Sequence, residues 1–109
     1  MSPLLKIIED QISNPYITNA ELARMCNMSE RSFYLKTESL TGMSPRHYLR
    51  CLRLERAKEL INSGEFQTVK EIALRVGFLK VSYFSDLYYE SEGARPVQIL
   101  RCVNDEAEA

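Results

Sequence analysis

Residues 18–34 read TNAELARMCNMSERSFY, and residues 68–84 read TVKEIALRVGFLKVSYF. The second stretch repeats the first at an offset of 50. Thr18, Glu21, Leu22 and Ala23 match Thr68, Glu71, Ile72 and Ala73; Asn27-Met28 matches Gly77-Phe78; Ser32-Phe33-Tyr34 matches Ser82-Tyr83-Phe84. Farther along, Gly42 and Pro45 match Gly93 and Pro96 at an offset of 51. Two copies are too few for a solenoid, which stacks three or more units into a continuous core. A duplicated supersecondary unit is therefore predicted.

Each copy reads as helix, short turn, helix. Thr18 or Asn19 is placed to cap a helix reaching about Cys26, because a side-chain oxygen there satisfies an orphan amide. Leu22, Met25 and Cys26 give that helix an apolar stripe, and Ala23 is small where a second helix crosses. Asn27 and Gly77 stand where each helix stops, and Asn and Gly are the residues that tolerate a left-handed backbone. Ser29 is predicted to cap the next helix, which ends at Gly42. This is the helix-turn-helix pattern, in which the first helix braces and the second presents its N-terminal turns to the DNA major groove. The predicted units are residues 18–42 and 68–93.

The rest of the chain frames them. Pro3 opens a first helix with Leu4, Leu5, Ile8 and Ile12 inward, ended by Asn14-Pro15. Ser44-Pro45 opens a connector over 45–63, stopped by Ser63-Gly64. At 1.5 Å per residue it spans roughly 27 Å, which suggests two reading helices in adjacent major grooves, roughly 34 Å apart. Leu49, Leu52 and Leu60 lie on one flank of the connector, and Leu54, Ala57 and Ile61 on another. Pro96 opens a last helix with Val97, Leu100 and Val103 inward. The fold expected is all-α: one domain over 1–103, then an acidic, solvated and frayed tail over 104–109.

Composition limits the function. Hydrophobic residues make up 45% of 109, enough for a core, with no apolar run of the roughly 20 residues a membrane helix needs. Met1-Ser2-Pro3-Leu4 lacks the pattern of a secretory signal. Cys26, Cys51 and Cys102 are odd in number and scattered, which points to packed thiols in a reducing cytoplasm rather than a disulfide or zinc framework. His47 is the only histidine, so neither a metal site nor a catalytic triad is expected, nor is any cofactor or enzyme activity. The net charge is −1, whereas a small nucleic-acid binder is usually basic. The distribution is more informative: Asp105, Glu106 and Glu108 of the tail offset a cationic remainder.

Several runs carry a family resemblance: Ala-Glu-Leu-Ala at 20–23, Thr-Gly-Met-Ser-Pro at 41–45, Arg-Leu-Glu-Arg-Ala-Lys-Glu-Leu-Ile at 53–61, Val-Gly-Phe at 76–78 and Ser-Tyr-Phe at 82–84. Over about residues 4–100 the chain resembles the DNA-binding domain of AraC/XylS-type bacterial regulators, most of all the C-terminal output domains of hybrid two-component regulators. That resemblance implies seven helices, with a connector between two helix-turn-helix subdomains. It implies double-stranded DNA as partner, RNA polymerase when bound at a promoter, and a separate sensor or receiver domain in the full protein.

The candidate DNA-binding residues of the first copy are Ser29, Arg31, Ser32, Tyr34 and Lys36. Arg31 leads them, because its fork suits a guanine edge or a phosphate; the alternative is an ion pair with Glu30 or Glu38. Leu35 removes a donor the family often has, and Thr37 stands where a large apolar residue is usual, which suggests a shifted register or looser packing. In the connector, Arg46 and Arg50 are phosphate candidates, while Arg53 is assigned a structural ion pair. In the second copy the candidates are Lys80, Ser82 and Ser85, set against Asp86, Glu90 and Glu92. That acidity predicts an uneven grip on DNA. Tyr48, Tyr83, Phe84, Tyr88 and Tyr89 are assigned to the core. The alternative function is a helical protein-interaction module on the same scaffold with weakened DNA binding.

Overall fold

The computed structural model describes the backbone of residues 3–108 and the side chains of residues 3–104. Seven helices are present, with no strand among the described residues: α1 (Pro3–Asp10), α2 (Asn19–Met25), α3 (Glu30–Thr41), α4 (Pro45–Ser63), α5 (Val69–Arg75), α6 (Val81–Glu92) and α7 (Pro96–Glu108). The chain divides into two compact units, Met1–Leu52 and Arg53–Ala109. Residues 104–108, expected to fray, continue α7 as helix. The acidic side chains of that tail lie outside the described residues, as do Met1 and Ser2.

In the first unit Leu4 and Ile8 of α1, Leu22 and Ala23 of α2, Phe33 of α3 and Leu49 of α4 form one buried cluster. In the second, Ala57, Ile61, Ile72, Ala73, Val76, Phe78, Phe84, Tyr88 and Leu100 form another. The apolar residues of α4 therefore partition by position along the helix, not by flank. Leu49 and Leu52 pack into the first cluster, while Leu54, Ala57, Leu60 and Ile61 pack into the second. Leu60 was expected beside Leu49 and does not go there. Val97, expected inward on α7, is exposed, and Ile99 packs beside Leu100 instead. Met25 is also exposed, leaving Leu22 and Ala23 as the buried residues of α2.

The helix-to-helix turns repeat in atomic detail. Thr18 Oγ1 accepts from the Glu21 amide at 3.1 Å and donates to the Glu21 carboxylate at 3.2 Å. Thr68 does the same with Glu71 at 3.2 and 3.1 Å. Each pair joins a cap to an acid in the first turn, where the helix dipole favours negative charge. At the other end, the Asn27 and Met28 amides donate to the Arg24 and Ala23 carbonyls, at 3.0 and 2.9 Å. The Gly77 and Phe78 amides donate to Leu74 and Ala73, at 3.2 and 2.8 Å. This crossed pair of bonds is a Schellman motif, which requires a left-handed residue. Asn27 (φ 56°) and Gly77 (φ 95°) supply it. Thr18→Ala and Thr68→Ala are each expected to cost about 1 kcal/mol in urea unfolding. Tyr16, exposed nearby, is the control position, where replacement by Ala is expected to stay within about 0.5 kcal/mol.

The second helices repeat at an offset of 51, not 50. Both α3 and α6 have 12 residues, with Ser29 and Lys80 as N-caps and left-handed Gly42 and Gly93 as C-caps. The second turn carries one extra residue, Leu79, between the left-handed Gly77 and the N-cap. Phe33 thus corresponds to Phe84, both fully buried, and Tyr83 is displaced to the surface. Tyr83 and Tyr89 are half-exposed rather than core; Phe84 and Tyr88 are buried as expected.

Thr37 corresponds to Tyr88 in this register. The first copy is not shifted: Thr37 is fully buried, and its hydroxyl donates to the Phe33 carbonyl at 2.8 Å. That carbonyl is already engaged in the helix ladder, so the hydroxyl is satisfied without being essential. Thr37→Val, similar in shape, is expected to leave the urea midpoint unchanged or raise stability by up to about 1 kcal/mol. A loss above 2 kcal/mol would assign the hydroxyl a larger role.

Candidate nucleic-acid interface

A helix turns about 100° per residue, so the buried pair Phe33 and Thr37 fixes the outermost line of α3 as Arg31, Leu35 and Ser39. All three are exposed. Arg31 makes no ion pair among the described residues, with Glu30 or Glu38 or otherwise. Tyr34 and Lys36 are exposed on either side of this line. Ser29 and Ser32 serve the start of the helix. The Ser29 hydroxyl accepts from the Ser32 amide at 3.1 Å and donates to the Ser32 hydroxyl at 3.0 Å. Arg31, Tyr34 and Leu35 share an open hollow with Asn19 at the start of α2.

At the start of α4, Ser44 Oγ accepts from the His47 amide at 3.2 Å. Arg46 is exposed and Arg50 half-buried, one turn apart on one side of the helix. Neither has an ion-pair partner among the described residues. Arg53, next along the stripe, lies over the Phe78 ring with Cζ 5.9 Å from the centroid, and burial lowers its pKa from the ordinary arginine value. The later cations are engaged: Arg56 with Glu59 at 2.8 Å and Lys58 with Glu92 at 3.4 Å. Burial raises the pKa of the Cys26 thiol, which suits a packed, unreactive cysteine.

In the second unit, buried Phe84 and Tyr88 set the outer line of α6 as Ser82, Asp86 and Glu90, all exposed, with Tyr89 exposed beside it. Lys80 is the N-cap residue by backbone (φ −106°), with no side-chain capping bond. Ser85 is half-buried and accepts from Arg95 Nη1 at 3.1 Å. The same Nη1 donates to Asp86 Oδ1 at 2.9 Å, and Arg95 Cζ lies 5.2 Å from the Tyr89 ring centroid.

A family model described as a helix-turn-helix domain matches residues 22–101. The chain belongs to that family. Its form is the AraC/XylS-type DNA-binding domain that the sequence motifs resemble, a domain of transcription regulators rather than of enzymes. A curated relative, the XylDLEGF operon transcriptional activator of Pseudomonas putida, is 32% identical over 100 residues, covering 90% of this chain and 31% of the relative. The chain thus spans about a third of the length of this relative and of the RhaR activator of Pectobacterium carotovorum, which it also matches. Among solved structures, the C-terminal domain of AraT, a response regulator from Geobacillus stearothermophilus, is 30% identical with a TM-score of 0.81, covering 93% of this chain and 86% of that one. The DNA-binding domain of AdpA, solved in complex with a target DNA, superposes with a TM-score of 0.84 over 97% of this chain and 96% of that one. At 23% identity that likeness is one of fold.

Within this AraC/XylS-type domain, the corrected register pairs Arg31 with Ser82, Tyr34 with Ser85, Leu35 with Asp86 and Arg50 with Arg101. The last pair went unnoticed in the sequence, as did Arg95. The pair becomes legible when the copies are aligned forward from Gly42 and Gly93, whereas Arg95 falls opposite Ser44 and carries no such signal. Leu49 and Leu100, each buried, then precede Arg50 and Arg101. Of the candidate residues, Arg31, Ser32, Tyr34 and Lys36 gather on exposed α3, with Ser29 at its cap. Arg46 and Arg50 stand together on α4. Lys80 and Ser82 begin α6, while Ser85 turns toward Arg95.

Proposed function

We propose that this chain is the DNA-reading output domain of a transcription regulator, binding double-stranded DNA sequence-specifically with the N-terminal turns of α3 and α6 each in a major groove. The observation that carries the reading is Arg31. It is an exposed guanidinium on the outermost line of a capped helix, without an ion pair among the described residues. Such a fork suits guanine O6 and N7, or a phosphate. Tyr34, Lys36 and Ser32 flank it, Ser29 holds the first turn in place, and Arg46 and Arg50 bind phosphate. Lys80, Ser82 and Ser85 take the corresponding part in the second unit with fewer donors, so the grip is uneven.

The remainder of the full protein supplies a sensor or receiver domain, and RNA polymerase is the partner at a promoter. The compartment is the cytoplasm; no helix among the described residues is long and apolar enough to cross a membrane. A second reading, a helical protein-interaction module, draws on the exposed Leu79, Tyr83, Tyr89 and Val97 of the second unit. Hydroxyl-radical footprinting on a duplex selected from a random library separates the two. DNA reading predicts two protected segments about one helical turn apart. A library yielding no enriched duplex, and hence no footprint, favours the interaction module.

A further inference from the structure

We propose that Arg95 supplies the second unit with the phosphate-binding cation that its reading helix lacks. This rests on the DNA-binding reading above and adds to it a residue outside both reading helices. The outer line of α6 holds Ser82, Asp86 and Glu90, so two of its three residues are acidic, and no lysine or arginine occurs within α6. A carboxylate facing phosphates opposes binding and releases no counterion.

Arg95 stands in the turn just before α7, where its backbone amide donates to Gln98 Oε1 at 3.0 Å. Its side chain reaches back to α6. Nη1 donates to both Ser85 Oγ and Asp86 Oδ1, and the guanidinium lies over the Tyr89 ring. Three contacts to one helix fix one edge of the fork. Nε and Nη2 donate to no described residue, and the side chain is 47% exposed. A planar fork held this way loses little further freedom on meeting an anion. An open groove bordered by Gln67, Ser82, Ser85 and Arg101 runs beside it. Base edges are met by the N-terminal turns of a reading helix. Arg95 lies beside the middle and later turns of α6, a position that suits the DNA backbone.

The test compares wild type, Arg95→Ala, Arg95→Lys, Asp86→Ala, the double variant Arg95→Ala/Asp86→Ala and Arg31→Ala, each titrated with the selected duplex over a salt series. One lost phosphate contact lowers the salt slope by about 0.9, or about eightfold in affinity at 0.1 M salt relative to 1 M. Arg95→Ala is expected to show that loss equally on all sequences, with the same enriched duplex and only the small drop in melting temperature that an exposed ion pair costs. Arg95→Lys is expected to keep the slope. The double variant is expected to recover only in part, because Asp86 is gone but the phosphate contact is still missing. Full recovery of affinity and slope would mean that Arg95 merely masks Asp86, which overturns the proposal. If Arg95→Ala matches wild type while Arg31→Ala loses affinity, the proposal falls and DNA reading stands. If wild type enriches no duplex, both fall.

Discussion

Phe84→Ala is expected to lower stability by about 3–5 kcal/mol, the largest loss from any single substitution considered. Phe84 is fully buried, with its ring centroid 5.2 Å from that of Phe78 and 5.8 Å from that of Tyr88. Truncation removes both ring contacts and leaves a cavity in the buried cluster that Phe84 shares with Ile72, Ala73 and Leu100. A domain's whole stability is about 5–15 kcal/mol, so the second unit is left marginal. Tyr83→Ala, one residue away, is the informative comparison. Tyr83 is 48% exposed and meets Phe78 only edge-on at 6.1 Å, so its loss is expected to cost under about 1 kcal/mol. Urea unfolding followed by far-UV circular dichroism reads both. Equal costs, or a larger cost at Tyr83, would contradict the 51-residue register of α3 and α6.

The second large effect concerns DNA. Arg31→Ala is expected to weaken binding to the selected duplex by about 1–3 kcal/mol and to relax base preference at one position if the contact is to guanine. Its melting temperature should stay that of wild type, because Arg31 is exposed and has no ion pair to lose among the described residues. Ser82 holds the corresponding place on α6. Ser82→Ala removes one small hydroxyl and no charge, so a much smaller loss is expected. A fluorescence anisotropy titration of both variants measures the asymmetry directly. Equal losses at the two positions would remove the basis for an uneven grip.

Much of this fold is legible in the sequence because it is set locally. Thr18 and Thr68 announce helix starts through a bond three residues away. Asn27 and Gly77 announce helix ends because few other residues accept a left-handed backbone. What stayed hidden depends on tertiary packing. Leu79 lengthens the second turn by one residue, and because Tyr83 and Phe84 are both aromatic, either alignment satisfies the apolar pattern. Only burial decides between them. The two flanks of the α4 helix look alike on a helical wheel, so Leu60 cannot be assigned without knowing which cluster each half meets. Arg95 is a third kind of case: its contact with Asp86 spans nine residues and a turn, where no helical spacing predicts it. The acidity of the second reading helix was readable from Asp86, Glu90 and Glu92. The arginine that answers it was not.

A salt titration on the selected duplex tests most directly whether this duplicated scaffold reads duplex DNA. The proposed phosphate contacts of Arg46, Arg50 and Arg95, with Lys36 counted as a fourth, predict log K falling linearly with log salt at a slope of about −3.6. Affinity that is flat with salt, or no duplex enriched even at about 50 mM salt, would contradict that reading.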